Sequence, residues 1–320
     1  MNGRRLLMWL LLFSAAITFP FITNLYSKAL AIEVMIFAIF AMSLDLLLGY
    51  TGLPSFGHAA YFGLGAYATA YLASSNGLAL GLTNNLLLLL PLVLVFTAVV
   101  ALIIGFFALR TSGIYFLMVT LAFAQMLYSM AIRWSAVTGG SDGLSGVPQP
   151  IIAIGPLYYQ ISSREDYYFL ILIFFVAVYW LMRRLVNSPF GWTLRGIREN
   201  EPRMKALGVN TFRYKMAVFT IAGAFAGLAG MLLVLFFRNA SPNNLYWTIS
   251  GQVIVMVIIG GTGTLSGPIL GAALVRLFPQ FVSSYIDRWE TLEGILFILF
   301  VLYAPKGILG ILRGQRKELS

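Results

Sequence analysis

The chain has 320 residues, of which 60% are hydrophobic and only 10% charged. Soluble domains carry roughly 45–50% apolar and about 25% charged residues, so this composition excludes an ordinary soluble domain. The formal net charge of +10 is gathered into a few segments: of 21 Lys and Arg, eight lie between Arg183 and Lys215, four after Pro305, and two at Arg4 and Arg5. Basic residues beside apolar runs are the positive-inside pattern of a polytopic membrane protein, not a nucleic-acid footprint. The absence of cysteine rules out a disulfide framework and Cys-ligated metal, and the one histidine leaves little for zinc or iron. Apolar residues run unbroken rather than alternating, which argues against a β-barrel.

A helical crossing needs about 20 apolar residues, and ten candidate spans follow in order. They are Leu6–Ile22, Leu30–Leu48, Ser55–Ala73, Leu86–Leu109, Ile114–Ile132, Tyr167–Met182, Met216–Phe237, Ser250–Ile259, Leu265–Ser283 and Glu293–Ala304. The first follows Arg4-Arg5 and is long for a signal peptide, although Ala29-Leu30-Ala31 offers a small-residue cleavage pattern. The eighth is short enough for a half-helix or re-entrant segment. With both termini inside, ten spans put fifteen basic residues inside and five outside, with Arg276 within a span. The predicted fold class is therefore all-α: one polytopic membrane domain over residues 1–320.

Two polar stretches differ in character. Residues 138–166 hold turn residues and little basic charge and are expected outside. Residues 187–215 are basic and partly helical. In this second stretch Leu194 and Ile197 share a helical face. Pro202 suits the start of a second short helix and Gly208 the position past its end. Such a pair can dock in another protein's groove, or lie as a solvated loop held to anionic lipid; residue chemistry alone leaves both open.

Several signals bear on chemistry. Gly139-Gly140-Ser141-Asp142-Gly143 fits G-x-S-x-G, but that pattern needs a strand-to-helix turn and a histidine within reach. His58, three residues after Ser55, belongs to the opposite face by topology, and Ser55 after Pro54 suits a helix N-cap. No Gly-x-x-x-x-Gly-Lys-Ser/Thr loop occurs, so any ATP-driven motor is a separate polypeptide. Glu33, Asp45 and Arg276 are the ionisable residues within spans; Asp45 and Arg276 are candidates for a pair, and Glu33 suits the outer interface. Gly and Pro are dense from Gly49 to Gly57, enough to interrupt a helix and expose backbone dipoles to a substrate. Finally, Gly139–Gly146 matches Gly260–Gly267 at five of eight positions, a faint sign of an inverted repeat. With Glu33 and Asp45, that repeat is the support for an ion-coupled secondary transporter.

The segment Gly49 to Tyr67, Ser112-Gly113-Ile114-Tyr115-Phe116 through Ala124, Thr138 to Leu144, Ser188 to Leu207, Gly208-Val209-Asn210, and Gly260 through Pro268 together resemble the branched-chain amino-acid ABC importer permeases. The likeness runs in order over nearly the whole chain and is greatest to the LivM-type subunit. Leu53-Pro54 departs from it, since many relatives carry a non-proline residue there, which bears on how the second and third spans join.

The resemblance implies a multi-pass protein of the bacterial inner membrane with both termini cytoplasmic. It implies a LivH-type second permease, two cytoplasmic ATPase subunits and a periplasmic substrate-binding protein as partners. No cofactor is bound by the chain itself, ATP being used by the partner subunits, and no enzymatic activity is implied. The coupling residues would be Phe190, Gly191, Leu194, Arg195, Ile197, Arg198, Glu199 and Asn200. Asp45, Gly57, His58, Ser141 and Asp142 are candidates for the substrate pathway. Close relatives of these permeases import urea or short amides, so that substrate class stands as the alternative to hydrophobic amino acids.

Overall fold

In the computed structural model, residues 17–74, 77–154, 156–283, 288–303 and 307–310 are described. Five helices are long and apolar enough to cross a membrane: α1 (Leu25–Thr51), α3 (Leu86–Ala108), α4 (Ile114–Arg133), α5 (Arg164–Val186) and α8 (Thr211–Phe237). Shorter helices are α2 (His58–Ala73), α6 (Pro189–Glu199), α7 (Glu201–Ala206), α9 (Trp247–Gly260), α10 (Ser266–Val282) and α11 (Trp289–Tyr303). Most of the first expected span, Leu6–Ile22, lies outside the described residues, of which 17–22 are helical. The all-α, polytopic class holds; a count of ten does not follow from the described helices.

α1 and α8 form the centre of the bundle and pack on each other. They run in opposite directions. α1 begins beside α5, where Lys28 pairs with Glu165, and ends where Arg198 of α6 bonds the Gly49 carbonyl. α8 starts next to Glu201 of α7 and ends where Arg238 Nε donates to the Val147 carbonyl at 2.8 Å. The molecule thus has a basic end, carrying α6 and α7, and a strand end. At the strand end β1 (Leu144–Ser145) pairs antiparallel with β4 (Asn239–Ala240), and β2 (Ile151–Ile154) with β3 (Leu157–Gln160).

Both long central helices are followed by a chain that turns back into the bundle. α1 stops because Gly52 takes φ +74°, and the Gly52 and Leu53 N–H groups both return to the Leu47 carbonyl, the latter at 2.9 Å. Residues 53–57 then climb without helical structure, and α2 starts at His58, level with Ser43. Ser43 lies eight residues from the end of α1, or about 12 Å along it at 1.5 Å per residue. The expected span from Ser55 is therefore shorter by three residues. Ser55 does not cap α2; its hydroxyl accepts the Gly57 N–H at 3.2 Å, within the extended stretch. After α8, residues 238–246 return likewise, with a single 3-10 turn at Pro242–Leu245 lodged against Gly63 of α2. α9 begins there and runs to the basic end, and its 14 residues bear out the short eighth span.

The unit α1–α2 is thus echoed, upside down, by α8–α9. The Gly139–Gly146 and Gly260–Gly267 loops do lie at opposite ends, yet they follow α4 and α9. Their likeness does not follow the order of the repeated helices. Close packing joins the two units: a Cβ on Gly65 would sit 2.1 Å from the Gly227 carbonyl oxygen, and one on Gly230 would sit 1.8 Å from that of Phe62. Small residues let helices approach this closely in lipid. Asp45 and Arg276 are not partners. Arg276 pairs with Glu33 at 3.2 Å and stacks its guanidinium over Phe37, 3.4 Å from the ring centre.

Candidate functional site

The basic end presents the helix pair expected from the sequence. Pro189 opens α6, and Gly191 packs so close to Val186 that a Cβ would fall 2.3 Å from its carbonyl oxygen. Leu194 and Ile197 are buried, as their shared helical face requires. Phe190 stacks on Tyr214 of α8 at 5.5 Å. Asn200 links the two short helices, its side chain accepting the Arg203 N–H at 2.9 Å to cap α7. Pro202 occupies the second position of α7, and Gly208, at φ +82°, follows its end. Glu201 anchors α7 to α8: it accepts the Thr211 hydroxyl at 2.9 Å and pairs with Lys215 and, at 3.1 Å, with Lys205. Partial burial pushes the Glu201 carboxyl up, but these donors outweigh it and hold the group at about 2.

Of the expected coupling residues, Arg198, Glu199 and Asn200 are exposed, and Gly191, Leu194 and Ile197 face the bundle. Arg195 lies over the Tyr50 ring of α1 at 5.1 Å and over Trp192 at 4.6 Å, and Arg198 bonds the Gly49 carbonyl. Both guanidiniums therefore engage their own chain. Also exposed are Trp192 (62%) and Leu207 (70%), two large apolar side chains on a polar surface. Trp192 is out of phase with the buried Leu194–Ile197 face, whereas Leu207, just past the end of α7, carries no such mark in the sequence.

At mid-depth the two returning segments meet. Ala59 N–H donates to the Ser250 hydroxyl at 2.8 Å, joining the first turns of α2 and α9. A run of aromatic rings crosses the junction: Phe56 to Trp247 at 6.2 Å, Trp247 to Tyr246 at 6.0 Å, and Tyr246 to Tyr128 of α4 at 4.8 Å. None of the four is fully buried. They come from three separate segments, so no spacing in the sequence could join them.

The five pathway candidates fall in three places. Gly57 and His58 sit at this junction but are enclosed; a Cβ on Gly57 would meet the Thr120 carbonyl oxygen at 2.5 Å. His58 is stacked on Phe40 at 5.3 Å. Asp45 is buried nearer the basic end, accepting the Gly263 N–H at 2.7 Å and the Leu265 N–H at 3.1 Å. Ser141 and Asp142 lie exposed at the strand end, the Ser141 hydroxyl donating to its neighbour's carboxylate at 3.1 Å. The serine–histidine arrangement that the G-x-S-x-G pattern needs is absent among the described residues, since Ser141 and His58 are at different depths. Nor does any group of three His, Cys, Asp or Glu there suit a metal ion.

Two cavities flank the Glu33–Arg276 pair. One, of about 300 Å³, includes Gln252, Gln280 and Glu293 in its walls; the other, of about 360 Å³, reaches Phe62, Asn239 and Asn244. A third, almost wholly apolar and about 220 Å³, lies between α2 and α4, with Tyr67, Leu127 and Trp134 among its walls.

The chain is 28% identical to the LivM high-affinity branched-chain amino-acid permease protein of Salmonella typhimurium, over 95% of this chain and 75% of that one. Identity to the Escherichia coli LivM protein is 27%, over 94% and 74%. The E. coli LivH permease protein is also similar, at 27%, over 43% of this chain and 46% of its own. No solved structure matches the chain. The family described as branched-chain amino acid transport system / permease component matches residues 27–304. With its long apolar helices around an antiparallel central pair, this chain belongs to that family of membrane permeases.

Proposed function

We propose that the chain is the LivM-type permease subunit of an ATP-driven importer for branched-chain and other hydrophobic amino acids. The family match from residue 27 to 304 carries this reading. The basic end is then the cytoplasmic face of a bacterial inner membrane, in line with the positive-inside bias. A LivH-type second permease would complete the pore, a periplasmic binding protein would deliver substrate to the strand end, and two ATPase subunits would bind the α6–α7 pair. The chain holds no phosphate-binding loop, so ATP is used by those subunits.

In this mechanism α6 and α7 sit in an ATPase groove, with Trp192 and Leu207 as apolar anchors within a polar rim. Closure of the ATPase pair on ATP pushes the short helices, and the pathway switches from facing outward to facing inward. The partly exposed aromatic run at mid-depth lies where an apolar side chain would pass. A proton- or sodium-coupled alternative has little to use: Glu33 is paired with Arg276, and Asp45 is held by two backbone N–H groups.

The test is uptake of labelled leucine and labelled urea by the source cell with and without this gene. Loss of leucine uptake alone supports the reading. Loss of urea uptake alone keeps the importer and changes the substrate class. Uptake that survives ATP depletion and fails with the proton gradient overturns the reading.

A further inference from the structure

Beyond the docking of α6–α7 lies the question of how their displacement reaches the bundle, and the inference rests on the importer reading above. Three parts of the chain converge at the end of α1. Arg198 of α6 donates to the Gly49 carbonyl, and its Nη1 would lie 3.2 Å from a Cβ on Gly263, the residue that Asp45, one turn earlier on α1, also holds. Asp45 holds the loop between α9 and α10 by accepting from Gly263 (2.7 Å) and Leu265 (3.1 Å). That loop is unusually shaped: Gly261, Gly263 and even Leu265 have positive φ, at +115°, +73° and +53°. A leucine in that region is uncommon and persists only where the surroundings hold it. Gly49 leaves no slack, since a Cβ there would lie 2.0 Å from Asp45 Oδ1 and 2.2 Å from the Gly263 nitrogen.

Arg198 is exposed on the outer side of α6, yet its hydrogen bond goes to its own bundle, which places it to drag α1 when α6 moves. The Asp45 carboxylate in turn makes α1 and the α9–α10 loop move together. Charge-assisted hydrogen bonds of this kind are short and directional. We propose that Arg198 and Asp45 are positioning residues that key the coupling helix α6 to α1 and to the α9–α10 loop, so that movement of α6 is transmitted into the half-helix α9.

The experiment uses the full importer in proteoliposomes: this chain, the second permease, both ATPases and the binding protein. Substrate imported per ATP hydrolysed is the readout, with assembly checked by size-exclusion chromatography. Arg198→Gln is expected to lower that ratio at least fivefold, and Arg198→Lys, which keeps a cationic donor, to recover most of it. Asp45→Asn should lower it similarly, and the double variant should be no worse than the worse single one, because the two act in one chain of contacts. If Arg198→Gln does not assemble, Asp45→Asn carries the same expectation.

A ratio unchanged in assembled variants, or import falling only in proportion to ATP hydrolysis, overturns the inference and leaves the importer reading intact. A wild-type assembly that hydrolyses ATP without importing amino acid or urea overturns the importer reading, and the inference with it.

Discussion

Ser43 and His58 meet within the bundle, His58 Nε2 lying 2.8 Å from the Ser43 oxygen. Ser43 spends its own proton on the Phe40 carbonyl at 2.7 Å. With that proton on the carbonyl, the imidazole donates through Nε2, and in either tautomer Nδ1 is buried with no protein partner. That relationship fixes where α2 begins, and it makes His58 a packing residue with a polar seam. His58→Phe removes the seam and keeps the ring stacked on Phe40, while Ser43 retains its carbonyl partner. The variant should unfold within about 1 kcal/mol of the wild type, since deleting an unsatisfied buried acceptor offsets the lost hydrogen bond. Denaturant titration in mixed micelles measures it.

The α2–α8 contact has no such tolerance. Gly230→Ala places a methyl against the Phe62 carbonyl, where neither backbone can yield cheaply. A cost of at least 1–3 kcal/mol is expected, seen as a lower melting temperature of the detergent-solubilised chain. Gly294→Ala, with nothing within 4 Å of the added carbon, should leave it unmoved.

Glu33 and Arg276 test how an ion pair behaves inside the bundle. Arg276→Leu leaves the Glu33 carboxylate without its cation, whereas Glu33→Gln with Arg276→Leu leaves no charge at either position. Breaking one side of a buried pair costs more than replacing both, by up to about 3–5 kcal/mol when burial is complete. Both side chains keep roughly a quarter of their exposure (24% and 23%), so a smaller gap of the same sign is expected. Melting curves of the single and double variants give it directly.

Helix boundaries and membrane class were largely legible from hydropathy, because long runs such as α3 and α8 need no partner to be recognised. The α6–α7 pair was legible too: Pro189, Pro202 and Gly208 punctuate it, and Leu194 and Ile197 mark its buried face. Three things were hidden for one physical reason, that they depend on contacts between distant segments. Arg276 chose Glu33 over Asp45 because α10 runs beside α1 with Arg276 well above the Asp45 level. The return of residues 53–57 into the bundle hid the true start of α2. Arg195 and Arg198 read as surface charges, and Arg198 is exposed, yet Tyr50 and the Gly49 carbonyl also engage them. As a result the outward anchors, Trp192 and Leu207, became visible only once the helix was placed.

Glu201 gives the α7–α8 junction a pH dependence. Its carboxyl sits near 2, below the ordinary carboxylate value of 4.5, so its contribution is complete above 4.5 and fades as the pH falls toward 2. Glu201→Gln should lower the melting temperature at neutral pH and flatten its decline between pH 4.5 and 2. A fluorescence melt over that range compares the two.

Ser141 is expected to be dispensable for chemistry. Its hydroxyl is exposed and meets only Asp142, so Ser141→Ala should change leucine uptake less than twofold. Abolished transport with normal insertion would instead give this loop a direct role.

Because α2 and α9 each start inside the bundle and run to opposite ends, the wall they share contains no helix that extends from one face to the other. Two cylinders that touch only through their first turns can be drawn apart along their own axes without breaking any bond of their helical ladders. Between the two helices themselves the Ala59–Ser250 link and the ring contacts around Trp247 hold the seam, while each helix stays packed on its own neighbour, α2 on α8 and α9 on α10. A seam of that kind opens by sliding, and it closes again with both helices intact.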